Sequence, residues 1–145
     1  MALGILAALL IWQQTAQPVT IDGESYPVFD PALWSFWMPW FLGILALEVV
    51  FTLLRWRRGG WTYPFAVVNL ALNVAFTVPA IYLVQNDLLL DPGLVAAIDA
   101  ATGGAWLQPT LAIGVVVAVV VAAWDSIDGF RQAWLNARVA RTAAA

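Results

Sequence analysis

The sequence predicts an all-α membrane protein with four transmembrane helices. Of its 145 residues, 63% are hydrophobic and only 10% are charged, and the mean hydropathy is +0.84. An average soluble domain is about 45–50% apolar and about 25% charged. A soluble fold of this size could not bury so much apolar surface. Four segments approach the ~20 apolar residues that a helix needs to cross a bilayer.

The first predicted span covers residues 1–16. Its apolar part, residues 2–12, is too short to cross a bilayer alone. A signal peptide is disfavoured because no basic residue precedes the apolar part and no clean cleavage site follows it. We expect either that Met1 lies inside a longer natural protein, or that weakly apolar residues such as Gln13 complete the span.

The other three spans are predicted at residues 33–54, 61–84 and 106–124. Trp residues at their ends support these boundaries, since Trp favours the headgroup level of a bilayer. Together with the first span they form one predicted domain, residues 1–141, followed by a disordered tail at 142–145.

Two acidic loops separate the spans on the side that we predict to be outside. In the first, Asp22-Gly23 between two β-prone runs predicts a hairpin. Asp30-Pro31 then predicts a helix start, with Asp30 as the N-cap. In the second, Asp91-Pro92 begins a short helix that we expect to lie on the outer surface.

The basic residues predict the orientation. All six are arginines, three between the second and third spans and three after the fourth: Arg55, Arg57, Arg58, Arg131, Arg138 and Arg141. Short loops rich in Arg stay in the cytoplasm, so both termini are predicted to be cytoplasmic. The Arg-only, Ala- and Val-rich usage is typical of a GC-rich bacterium, which indicates a bacterial inner membrane.

The segment after the fourth span predicts a C-terminal amphipathic helix. Its apolar residues fall close to one helical face, so it would lie on the membrane surface or bind another protein domain. Its arginines would anchor it to anionic lipid. Asp125 and Asp128 are three residues apart in this segment, and we expect pairing with Arg131 or capping rather than acid–base catalysis.

Polar residues inside the spans form a predicted seam. A carboxylate at the centre of a span costs about 2.5–3.5 kcal/mol on insertion scales, so Glu48 should face protein or water. Glu48 and Asn69 are nearly equidistant from the turn between their spans and should share one depth. We therefore predict that Glu48 accepts a hydrogen bond from Asn69 or Asn73. The seam comprises Glu48, Thr52, Asn69, Asn73 and Thr77. Its role is either structural or that of a titrating proton or ion site.

The residue types that are missing exclude several chemistries. The chain has no Cys, His or Lys, so thiol, imidazole and Schiff-base chemistry are excluded. The acidic loops lack the ladder of a calcium loop, and no catalytic motif occurs. With a net charge of −3, nucleic-acid binding is not expected. We predict no catalytic activity, no cofactor and no bound metal.

Three stretches carry a family resemblance: DPALWSFWMPWFLGILALEVVF (30–51), WTYPFAVVNLALNVAFTVPAIYLV (61–84) and WDSIDGFR (124–131). The chain resembles the membrane portion of HAAS-type proteins of actinobacteria. The resemblance implies a small multi-span protein with a cytoplasmic helical domain before the spans, encoded beside PadR-like regulators and acting in membrane signalling. It implies no set of functional residues. The helical domain does not precede the spans in this sequence, which agrees with the short first segment.

The predicted function is that of a non-catalytic membrane domain that acts as a sensor or as a regulatory partner in signalling. Two alternatives stay open. One is an accessory or structural subunit of a larger membrane complex. The other is a small proton-linked carrier that uses Glu48, which should lose activity in Glu48→Gln while keeping its fold. The expected partners are the lipid bilayer and a regulator or membrane complex, and a homo-oligomer stays open.

Overall fold

A computed structural model describes residues 19–143 of the chain. The predicted first span lies outside the described residues, as does the end of the predicted tail. The described part begins with a hairpin, β1 (Val19–Ile21) and β2 (Glu24–Tyr26), and a 3₁₀ helix (Pro31–Ser35). Four α-helices follow: α1 (Trp37–Arg57), α2 (Tyr63–Gln85), α3 (Pro92–Thr102) and α4 (Leu107–Ala143).

Three of these helices, α1, α2 and α4, are long and apolar enough to cross a membrane. Most of their large apolar side chains are exposed, which lipid tolerates and water does not. The prediction of a helical membrane protein is thus supported for the second, third and fourth spans. Four transmembrane helices are not confirmed, because the first predicted span is outside the described part.

The hairpin, the 3₁₀ helix and α3 cover one end of the bundle, here called the cap end (residues 19–36 and 86–106). In the hairpin turn, Asp22 and Gly23 both have positive φ, 52° and 89°, as a tight type I′ turn requires. An antiparallel bridge between Phe29 and Leu90 joins the two loops of the cap. This pairing supports a hairpin that alone would be marginal in water.

Local capping chemistry begins both helices of the cap. An Asp30 carboxylate oxygen accepts from the Ala32 N–H at 2.8 Å, and Asp91 does the same for the Leu94 N–H at 3.0 Å. Each aspartate precedes a proline in the first turn, where a missing N–H costs nothing. The 3₁₀ helix ends at Ser35, so α1 begins at Trp37 rather than at the predicted residue 33.

A small core joins α1 and α2 near the cap end. It contains four buried residues, Leu33, Met38, Phe41 and Leu83. The Phe41 ring lies 5.0 Å from the Phe76 ring of α2. These contacts hold α1 and α2 together at this end of their helical hairpin.

The helix α4 differs from its prediction. It is 37 residues long and continues past the expected end at residue 124 as far as Ala143, so the amphipathic segment is the second half of one helix and not a separate surface helix. At about 1.5 Å per residue α4 is roughly 55 Å long, against about 30 Å of bilayer hydrocarbon. No proline interrupts residues 125–143, and Gly129 lies close to Trp61 in the turn between α1 and α2.

Candidate functional site

A polar cluster joins α2 to α4 partway along the length of both helices. The Asn69 side-chain amide donates to Asp125 Oδ2 at 2.7 Å, and the Asn73 amide donates to the same oxygen at 3.1 Å. Asn73 also donates to Ser126 Oγ at 3.0 Å, and Ser126 donates to the Ala122 carbonyl at 2.8 Å. We call Asn69, Asn73, Asp125 and Ser126 the amide–carboxylate cluster.

The predicted hydrogen bond from Asn69 or Asn73 to Glu48 is therefore wrong, because both amides donate to Asp125 of α4. Asn69 and Asn73 do share a helical face, but that face contacts α4 instead of α1. No side-chain hydrogen bond joins Glu48, Thr52 or Thr77 to another described residue. The physical reason is the close approach of α2 and α4: Ala66 on α2 and Ala133 on α4 are both buried, and small residues let helical backbones come together.

Glu48 nevertheless lies at the depth of the cluster. In the α1–α2 hairpin the Trp40 indole donates to the Ala75 carbonyl at 3.1 Å, and the Phe51 ring lies 5.6 Å from the Phe65 ring. This antiparallel register places Glu48 level with Asn69. The Glu48 side chain is partly buried, and Asn69 at this level donates to the Asp125 carboxylate. One level of the bundle thus carries two carboxylates.

The turn between α1 and α2 forms the opposite end of the bundle, here called the arginine end, with the C-terminal part of α4. Asn136 of α4 donates to the Trp61 carbonyl at 3.0 Å, and the Arg55 guanidinium lies 4.4 Å from the Trp61 ring centroid. Stacking of this kind shields the ring and positions the cation. The predicted anchors all lie at this end: Arg55, Arg57, Arg58, Arg131, Arg138 and Arg141.

The arginines of α4 have local partners. An Arg131 nitrogen lies 3.9 Å from Asp128 Oδ1, so the predicted pairing is present for Asp128. Both side chains are well exposed, and such a pair contributes little to stability. Arg138 stacks on Trp134 at 4.3 Å from the ring centroid. Asp125, in contrast, faces the amides of α2.

The depth of the cluster follows from these contacts. Trp61 is level with Asn136, and Asn69 follows Trp61 along α2 by eight positions, so the cluster lies roughly 12 Å from the arginine end. A hydrocarbon layer of about 30 Å bounded at the arginine end would contain it. The sequence predicts Asp125 just past the end of the fourth span. The hydrogen bonds from α2 instead put it at a level that such a hydrocarbon layer would contain. Two amide N–H groups offset part of the cost of a carboxylate there.

A cavity of about 380 Å³ lies at the cap end. One face of α3, the end of α2 and the first turn of α4 form its walls. Its polar groups are Asp87, Asp99 and Gln108, and the Gln108 amide donates to Asp87 Oδ1 at 3.1 Å. Sequence reasoning missed this cavity, because Asp87 and Gln108 carry no motif and are 21 positions apart.

No protein-family model matches the chain, and comparisons with curated proteins and with solved structures find no match. The resemblance to HAAS-type membrane proteins therefore stays a prediction. The functional argument depends on the geometry of the cavity, the cluster and α4.

Proposed function

We propose that this chain is the membrane domain of a sensor or regulatory protein, with the cap end outside and the arginine end in the cytoplasm. The observation that carries the proposal is the course of α4. At its start, Leu107, Gln108 and Leu111 line the cavity of the cap end. At its other end, Asn136 contacts the α1–α2 turn. One unbroken helix thus contacts both ends of the bundle.

The distribution of charge supports the proposed orientation. All six arginines lie at the arginine end, whereas the cap end carries only acids among its charged residues. Arginine in short loops is retained on the cytoplasmic side during insertion. This distribution supports an orientation with the cavity outside the cell and the polar half of α4 inside.

The amide–carboxylate cluster fixes the position of α4 relative to α2 by directional hydrogen bonds. Hydrogen bonds from Asn73 reach two side chains one position apart on α4, Asp125 and Ser126. A helix seated by directional contacts has a small number of discrete packing arrangements, which is the physical requirement for a switch. A ligand that shifts the start of α4 would bias these arrangements.

The polar half of α4 offers a surface for the response. Trp134, Leu135 and Val139 are 43%, 42% and 68% exposed, and at these positions α4 lies at the edge of the hydrocarbon layer set by the arginine end or past it. Exposed apolar side chains of this kind are typical of a protein or membrane contact. A regulator that binds this face would detect a displacement of α4.

Gln108→Ala tests the coupling between the two ends. The substitution removes the contact to Asp87, and we expect faster amide hydrogen exchange at residues 126–142, by several-fold, if the coupling energy is about 1 kcal/mol. Mass spectrometry would measure the exchange rates of the purified variant and of the wild-type chain, both in lipid nanodiscs. Thr110→Ala is the control, because the Thr110 hydroxyl donates to the Trp106 carbonyl just before α4 and makes no hydrogen bond to the described residues of α2.

Exchange that changes only next to the substitution would contradict the proposal, since α4 would then transmit nothing. An equal change in Thr110→Ala would also contradict it, because loosening of the first helical turn would be a sufficient cause.

A further inference from the structure

We propose that the cavity at the cap end binds a small organic cation with an apolar body. The inference rests on the proposed sensor function and specifies its ligand. The cavity is bounded by Val84 and Asp87 at the end of α2, by Val95 and Asp99 on α3, and by the start of α4. It thus combines two carboxylates with aliphatic walls.

The charge of the cavity favours a cation. Asp87 Oδ1 accepts from Gln108, which leaves the second carboxylate oxygen of Asp87 available to a ligand. No arginine lies at the cap end, since all six are at the opposite end of the bundle. Within the described residues, therefore, neither Asp87 nor Asp99 has a basic partner in the cavity.

The position of Asp99 adds to this preference. It lies in the last turn of α3, and its carbonyl accepts from the Gly104 N–H at 3.1 Å. The carbonyl groups of a final helical turn carry the negative end of the helix dipole, which disfavours a carboxylate and favours a cation. A positive ligand group beside Asp99 would therefore offset both the charge of the carboxylate and the negative end of the helix dipole.

The size and the walls of the cavity define the rest of the ligand. About 380 Å³ falls within the usual range of small-molecule sites, far more than a bare metal ion fills. Leu89, Leu107 and Leu111 supply apolar contact surface. A quaternary or primary ammonium group attached to an aryl or alkyl body matches both features.

Binding of benzyltrimethylammonium to the purified full chain in nanodiscs tests the inference. Titration calorimetry should show saturable binding to the wild type, and Asp87→Asn and Asp99→Asn should each weaken it about fivefold or more. Asp22→Asn is the matched control: it makes the same charge change in the hairpin turn, where Asn tolerates the positive φ, and should leave the affinity within about twofold. Tetramethylammonium, which lacks the apolar body, should bind more weakly.

The absence of saturable binding to the wild type would overturn the inference, and so would an equal loss in Asp22→Asn, which would indicate attraction to surface charge alone. The proposed function fails separately. Cation binding without any change in exchange at residues 126–142 would keep the ligand site and contradict the sensor. Coupling through Gln108 without cation binding would keep the sensor and overturn the ligand.

Discussion

Gly129→Ala is expected to lower the free energy of unfolding by about 1–3 kcal/mol, the usual cost of overpacking. A Cβ at Gly129 would lie 2.8 Å from Cζ3 and 3.0 Å from Cη2 of Trp61. The ring cannot turn aside easily, because Arg55 stacks on it and Phe51 lies 6.2 Å away. Reversible unfolding in mixed detergent micelles would measure the loss.

Gly114→Ala is the control for this prediction. Gly114 is on the same helix, and a Cβ there would meet nothing within 4 Å, so we expect no loss and a gain of up to about 1 kcal/mol, the usual preference of a helix for Ala over Gly. Equal effects at the two glycines would show that α4 does not pack on Trp61. Adding Trp61→Leu to Gly129→Ala should recover part of the loss, since the smaller side chain admits the methyl group.

Asn73→Leu is expected to lower the free energy of unfolding by about 1–2 kcal/mol. Leucine has a similar volume but donates no hydrogen bond. The substitution would remove the donor to Ser126 Oγ at 3.0 Å and one of the two donors to Asp125 Oδ2, the one at 3.1 Å, and Ser126 is buried. The same unfolding experiment applies, with helical content by circular dichroism to show that the native fold is retained.

Thr77→Val serves as the matched control. Thr77 lies one helical turn beyond Asn73, and its side chain makes no hydrogen bond to another described residue, so the change should stay within about 0.5 kcal/mol. If Thr77→Val were as costly as Asn73→Leu, or if Asn73→Leu were neutral, the cluster would not hold α2 against α4.

Much of the fold is predictable because its causes are local. Apolar length predicts the three long helices, and Asp-Pro pairs predict the helix starts at Asp30 and Asp91. Asp22-Gly23 predicts the hairpin turn because both positions need positive φ. In each case the physical cause lies within a few residues of the feature.

The partner of Asn69 and Asn73 has a non-local cause. Their i, i+4 spacing predicts a shared face, but small residues on another helix decide which neighbour that face contacts. Buried Ala133 and the close approach at Gly129 bring α4 there, more than fifty positions along the chain. Because Glu48 lies at the same predicted depth, the sequence alone favours α1 as the partner of this face, whereas the structure has α4 there.

The length of α4 is hard to predict for a different reason. Polarity changes sharply at Asp125, and a change of polarity predicts the end of a membrane span but not the end of a helix. The backbone has no cause to break there, because the residues from Asp125 to Ala143 include no proline. The cavity, finally, is assembled from three elements, and none of them contains a recognisable motif.

The central claim is that α4 is one continuous helix that connects the two ends of the bundle. The chain contains no cysteine, so spin labels can be attached at Thr110→Cys and Val139→Cys without background, and their separation measured by pulsed electron paramagnetic resonance in nanodiscs. A continuous helix predicts about 44 Å between the two backbone positions. A distance near 30 Å, expected if the chain turned at Trp124 to lie along the membrane surface, would contradict the account.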